Sequence, residues 1–168
     1  MNACGAPPDF ESTFLAQYKR IAVVIARVVG DPARAEELAV DVFVKLWRNP
    51  QAQRGHTEAW LYRVAVRHGL DELRGRIRQK RRERLLDFIR PVPTPEDIRK
   101  VTEEQERVRM ALLLIDPRAA ELLVLRSHGL SYEELADSLN LKAASVGTLL
   151  SRAQQSFRKE YIKRYGNE

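Results

Sequence analysis

The chain has 168 residues and a formal net charge of +6, with a sequence pI of about 9.7; this is enough chain for one ordinary domain or two small ones, and the basic balance favours a polyanionic partner. A single cysteine, Cys4, excludes an internal disulfide, and three isolated histidines, His56, His68 and His128, show no zinc-site spacing, so neither a metal nor another cofactor is expected. The longest apolar runs, IAVVIA (21–26) and MALLLI (110–115), are far too short to span a membrane, and MNACGAPPDFES lacks the basic segment and apolar core of a secretory signal, so a cytoplasmic protein without membrane partners is expected.

Helical periodicity covers nearly the whole chain, and no strand alternation competes with it. Phe10, Phe14, Tyr18, Ile21, Ile25 and Val28 step by three or four and predict one amphipathic helix that Gly30 ends. Asp31-Pro32 starts the next, with Asp as N-cap and Pro as first helical residue. Its apolar stripe is Ala35, Leu38, Val42, Phe43 and Leu46, and Asn49-Pro50 closes it. QAQRGH (51–56) reads as a loop. Thr57 is placed to cap a third helix through TEAWLYRVAVRHGLDELRGR.

The segment 74–84, RGRIRQKRRER, carries seven basic residues and one acidic. So many like charges repel one another unless phosphates or acidic groups lie nearby, so Arg76, Arg78, Lys80, Arg81 and Arg82 are candidate phosphate contacts; a solvated helix end is the plainer reading. Just before it, Trp60 and Tyr62 are each either core or a stacking platform for unpaired bases. Tyr62, flanked by Arg63 and one turn before Arg67, is the better nucleic-acid candidate. Trp47 is core or partner-facing. RPVPTPED (90–97) holds three prolines in eight residues and reads as a linker.

VTEEQERVRMALLLI and DPRAAELLVLRSHGL predict two further helices, the second opened by Asp116-Pro117 and ended by Gly129. Ser131 then caps SYEELADSLNLKAASVGTLLSRA, with Glu134 as its capping-box partner. Within it, Leu135, Ala136, Leu139, Leu141, Val146 and Leu149 fit two helices crossing around a tight turn, and Asn140 sits where positive φ is needed. This is the helix-turn-helix pattern, in which a short second helix offers Lys142, Ser145, Thr148, Ser151 and Arg152 to a DNA major groove. The alternative is an ordinary helical hairpin. The fold class is therefore all-α: two small helical domains, at about 10–80 and 105–160, joined by a proline-rich linker at 85–104.

Catalysis finds no foothold. No phosphate loop ending in Lys-Ser/Thr, no HExxH and no GxSxG occurs. The acidic pairs Glu36-Glu37, Glu103-Glu104 and Glu133-Glu134 are each expected in a first helical turn, where negative charge offsets the macrodipole. No catalytic residue, small-molecule substrate or enzyme activity is assigned.

Taken together, these segments resemble the extracytoplasmic-function (ECF) sigma factors of bacterial RNA polymerase, over about 10–80 and 105–160. DPARAEELAVDVFVKLWRNP resembles the family's polymerase-binding helix, EAWLYRVAVRHGLDELRGR its minus-ten melting segment, and LLLIDPRAAELLVLRSHGLSYEELADSLNLKAASVGTLLSRAQQSFRK its minus-thirty-five domain. The resemblance implies that Glu37, Val40, Asp41, Val44, Lys45 and Arg48 bind core RNA polymerase. It implies that Tyr62, Arg63, Arg67, His68, Asp71 and Arg74 engage one promoter strand during melting, and that the recognition helix docks on the minus-thirty-five element. A separate anti-sigma protein is the typical further partner. The chain departs from the family in three places: Val40 stands where Gln is common, Arg67 where Asn is common, and Ser145-Val-Gly-Thr-Leu149 where Thr-Val-Lys-Ser-Arg is frequent. A stand-alone helix-turn-helix regulator that never touches polymerase, or a helical adaptor without DNA, are the competing readings.

Overall fold

The computed structural model describes residues 8–87 and 103–166, and all regular structure among them is helical. The helices are α1 (Pro8–Val29), α2 (Pro32–Trp47), α3 (Pro50–Arg54), α4 (Thr57–Asp87), α5 (Glu103–Leu114), α6 (Pro117–Ser127), α7 (Tyr132–Leu139) and α8 (Ala143–Tyr165). The expected proline-rich linker at 90–97 lies outside the described residues, and helices run further into the 85–104 interval than expected, to Asp87 from one side and from Glu103 on the other.

The first bundle is α1, α2 and α4. Ile21, Val24, Ile25 and Val28 of α1 meet Leu38, Val42, Phe43 and Leu46 of α2 and Leu61, Ala65, Val66 and Leu70 of α4, all buried. Phe43 anchors one end: its ring meets Phe14 edge-on at 4.9 Å between centroids, with Phe10 at 6.5 Å and Tyr18 at 6.2 Å. At Gly69 an added Cβ would lie 3.1 Å from the Val28 side chain, so the glycine lets α1 and α4 approach closely. Gly30 ends α1 at φ +74° and Asp31 caps α2, accepting from the Arg34 amide at 3.3 Å.

Three expectations are corrected here. Residues 50–54 are a short helix rather than loop, capped by Asn49, which accepts from the Ala52 amide at 3.1 Å. Thr57 does not cap α4; its hydroxyl donates to the Ala52 carbonyl at 2.8 Å and ties α3 to the start of α4. Glu36 and Glu37 fall beyond the first turn of α2, which holds no acidic residue.

The second bundle is α5 to α8, around Ala111, Ile115, Leu122, Leu125, Leu130, Leu135, Val146 and Leu150. The capping box at Ser131 forms as expected, with Glu134 N–H donating to Ser131 Oγ at 3.2 Å and Ser131 N–H donating to Glu134 Oε2 at 2.6 Å. Asn140 holds φ 54°, ψ 52° and makes the turn between α7 and α8. The second helix of the motif is long, not short: α8 has 23 residues. Leu150 rather than Leu149 joins Val146 among its buried packing positions, and Leu149 is half-buried.

The bundles touch each other. α6 and α7 lie against α4, and Arg109 of α5 reaches the end of α1, its Nε donating to the Val28 carbonyl at 3.0 Å and its Nη2 to the Arg27 carbonyl at 3.3 Å.

Candidate nucleic-acid interface

Four groups of residues singled out in the sequence have distinct environments. On α2, Glu37, Val40, Asp41, Val44, Lys45 and Arg48 are all exposed, on the face opposite the buried stripe of Leu38, Val42, Phe43 and Leu46. Trp47 extends this surface at 43% exposure and Val40 at 46%, an unusual outlay of apolar area for a free surface. Lys45 also contacts the His68 ring. Burial, followed by the nearby Lys45 ammonium, holds the His68 imidazole below its usual pKa range, so at neutral pH it is an uncharged hydrogen-bonding group.

On α8, Lys142, Ser145, Thr148, Ser151 and Arg152 are exposed together, and Lys142 is the N-cap residue without a side-chain cap bond. The hydroxyl-bearing positions 145, 148 and 151 repeat every three residues, which aligns them along one side of the helix. Gly147 is on the same turn, and a Cβ added there would meet only Tyr132 Cε2, at an ordinary 3.5 Å. Gly147→Lys is therefore expected to tighten duplex binding by the full chain. Its steeper salt dependence should correspond to about one added phosphate contact, and the helix gains about 1 kcal/mol of propensity. Fluorescence anisotropy across a salt series checks this; weaker binding at low salt would mean that the glycine serves close backbone approach to DNA.

Among the candidate phosphate contacts, Arg78, Lys80, Arg81 and Arg82 are exposed on the last turns of α4. Arg76 is not like them. Its Nε bonds Glu72 at 3.2 Å, it lies 3.6 Å from Asp31, and it reaches the Val29 carbonyl at 3.5 Å. Arg34 grips the same Glu72 through two bonds of 3.1 and 3.2 Å, and this pairing holds the Glu72 carboxyl below its usual pKa range. Arg76 thus belongs to a network that joins α1, α2 and α4.

The fourth set, on α4, is not gathered onto one open face. Asp71 and Arg74 pair with each other at 2.8 Å. His68 turns toward α2. Tyr62 is half-buried beside Leu130, Glu134 and Ser138 of the second bundle, and burial raises its phenol pKa. Arg63 shares a cleft with Trp60, His56 and Asp137, and Trp60 itself packs half-buried on the core. Arg67 donates from Nε to Glu121 Oε1 of α6 at 2.8 Å. Arg67 and Arg152 line one cavity of about 380 Å³ with Glu121 and Leu149.

Sequence reasoning missed Glu121 and Arg109. Glu121 is a lone acid inside the apolar run AAELLVL, a pattern that signals a buried partner without naming it. Arg109 carries no local signal at all. Among the described residues no group of His, Cys, Asp and Glu is arranged to hold a metal ion, and no helix is long and apolar enough to cross a membrane.

Two family profiles match: Sigma-70 region 2 over residues 14–82, and Sigma-70, region 4, over residues 105–155. Similar proteins include the ECF RNA polymerase sigma factor SigE of Mycolicibacterium smegmatis, 29% identical over 97% of this chain. This chain spans 65% of that relative's length. The ECF RNA polymerase sigma factor SigK of Mycolicibacterium vanbaalenii is 29% identical over 83% of this chain and 73% of its own length. The RNA polymerase sigma factor YlaC of Bacillus subtilis is 28% identical over 92% of this chain and 93% of its own. Among solved structures, the sigma factor RpoE from Bartonella quintana, in complex with the anti-sigma factor NepR, shares the fold with a TM-score of 0.53 at 18% identity, over 92% of this chain and 97% of that one.

Proposed function

We infer that this chain, which belongs to the ECF sigma factors, binds core RNA polymerase and directs promoter recognition, DNA melting and transcription initiation. The observation that carries this reading is the pairing, on one chain, of an outward-facing charged and apolar stripe on α2 with an exposed polar face on α8. A stand-alone regulator needs the second surface and has no use for the first.

In this reading the first bundle, about 10–80, holds polymerase through the α2 stripe and takes up the minus-ten strand along α4. The second, about 105–160, places Lys142, Ser145, Thr148, Ser151 and Arg152 on the minus-thirty-five element. Opening duplex DNA costs roughly 1–2 kcal/mol per base-pair step in stacking. Each extruded base captured on an aromatic face returns about 1–3 kcal/mol. A few captured bases, added to polymerase's own grip, therefore suffice to tip the balance. The chain supplies no bond-making chemistry; polymerase makes the phosphodiester bonds. A separate anti-sigma protein is proposed as a partner, and the cytoplasm as the place of action.

In vitro transcription with core polymerase over a promoter library tests the proposal. Specific start sites are expected, and neither transcription nor co-purification with polymerase would be found for a regulator of another kind. The basic end of α4 is expected to act through phosphates. Replacing Arg78, Lys80, Arg81 and Arg82 by Gln should weaken promoter complexes alike across sequences. It should also flatten the logarithmic salt dependence by up to about four phosphate contacts. Loss of one promoter with retention of another would show base reading instead.

A further inference from the structure

We propose that the cavity between the start of α6, the α7–α8 turn and the middle of α8 is a binding site for a small amphipathic acid. The ligand class is a carboxylate on an apolar chain that also carries a hydroxyl able to donate a hydrogen bond. The site goes beyond the sigma-factor reading and does not depend on it.

The cavity opens where helix packing alone would be expected to close. Leu139, Leu141 and Leu149 stand at packing positions of the helix-turn-helix, yet each is left half-buried. With Leu122 they line a space of about 380 Å³. Apolar side chains around a gap forgo the contacts that a filled core gives them. At the roughly 30 Å³ that one water takes up in the liquid, the space holds about a dozen heavy atoms. That is the size range of sites for small organic ligands.

The polar groups on the lining select among such ligands. Glu121, with a side chain 8% exposed, borders the cavity; its Oε1 accepts from Arg67 Nε at 2.8 Å, and its buried Oε2 has no donor among the described residues. Buried acceptors are as a rule paired. The last torsion of a glutamate is soft, so this oxygen turns toward an occupant at little cost, and a hydroxyl supplies the missing donor. Water would supply one too, but would leave the leucines without apolar contacts.

Charge decides the other end. Arg67, Arg118 and Arg152 line the cavity against Asp116 and Glu121, so positive charge is in excess. Asp116 is occupied in capping α6, accepting from the Arg118 and Ala119 amides at 2.9 and 3.2 Å, and Arg67 is held by Glu121. Arg118 and Arg152 are exposed and form no ion pair among the described residues. Two free guanidiniums beside an apolar cavity suit a carboxylate, which they bind through charge-assisted hydrogen bonds. A cationic ligand would meet three arginines.

Isothermal titration calorimetry of the full chain with 3-hydroxydecanoate, decanoate and methyl 3-hydroxydecanoate reads these elements one at a time. Saturable one-to-one binding of 3-hydroxydecanoate is expected. Decanoate, without the hydroxyl, should bind about tenfold more weakly or worse, and the uncharged ester roughly fivefold more weakly or worse. Glu121→Leu keeps an apolar lining and removes the acceptor, so the two acids should then bind within about twofold of each other. Arg118→Gln lies in the exposed first turn of α6, where it disturbs no packing. It should weaken both acids roughly fivefold and leave the ester within about twofold. Absence of saturable binding up to about 1 mM would mean that water alone fills the cavity, and would overturn the site. Equal affinity for the two acids in the unmodified chain, or unchanged acid binding in Arg118→Gln, would overturn it as well.

Discussion

Asp41→Arg combined with Lys45→Glu is expected to abolish capture of core polymerase while leaving the helical circular dichroism of the chain unchanged. Both side chains are exposed one turn apart on α2, on the face turned away from the core, so the exchange touches no core packing and gives up only the Lys45 contact with the His68 ring. Substitutions of this kind alter stability by about 0.5 kcal/mol or less. At an interface the account is different. The two charges are flanked by the exposed apolar side chains Val40, Val44 and Trp47, the composition of a patch that becomes desolvated on binding. Reversing two charges inside it sets like against like, at roughly 2–5 kcal/mol or more, which is at least thirtyfold in affinity. Pull-down and circular dichroism on one preparation decide it; retained capture would mean that another face of the bundle holds polymerase.

Phe43→Ala is expected to destabilise the first bundle by about 3–5 kcal/mol. Phe43 is 2% exposed and holds the rings of Phe10, Phe14 and Tyr18 together from the opposite helix. Truncating a buried phenylalanine costs about 3–5 kcal/mol, against a total of about 5–15 kcal/mol for a typical domain. Three aromatic partners on α1 lose one shared neighbour. Urea unfolding followed by circular dichroism measures the loss. A cost below about 1 kcal/mol would mean that the aromatic end of the bundle is not packed as described.

The features legible in the sequence are those set by neighbours along the chain. Asp31-Pro32, Asp116-Pro117 and Ser131 with Glu134 each start a helix through backbone amides two or three residues away, and Asn140 turns on its own φ. The outward stripe of α2 and the polar side of α8 follow from the same helical arithmetic. A helix of five residues at 50–54 escapes because it spans less than two turns, too few for an apolar repeat to show. Its hold on the fold is instead a Gln53 amide reaching the Leu46 and Trp47 carbonyls. The length of α4 escapes for another reason: Arg, Gln, Lys and Glu are all good helix formers, so the charged run continues the helix where apolar periodicity has ceased. What the α4 set faces is not legible at all. Arg67 and Glu121 are 54 positions apart, and no local rule brings them together. The candidate surfaces could therefore be read from sequence, but not which of them the fold covers.

The bonds from Arg109 to the end of α1 bear on how the molecule breathes. The last carbonyls of a helix have no partners within it, and here those of Arg27 and Val28 are satisfied by a side chain more than eighty residues away, in the other bundle. Separation of the bundles returns these carbonyls to water, so the closing turn of α1, pinned by the Gly30 amide on the Ala26 carbonyl at 2.7 Å, loses its outer support at the same moment. Any loss of the Arg109 bonds is therefore expected to loosen the closing turn of α1 as well. Faster amide exchange at the α1–α2 joint is the expected signature of losing that support from the other bundle, as on Arg109→Ala.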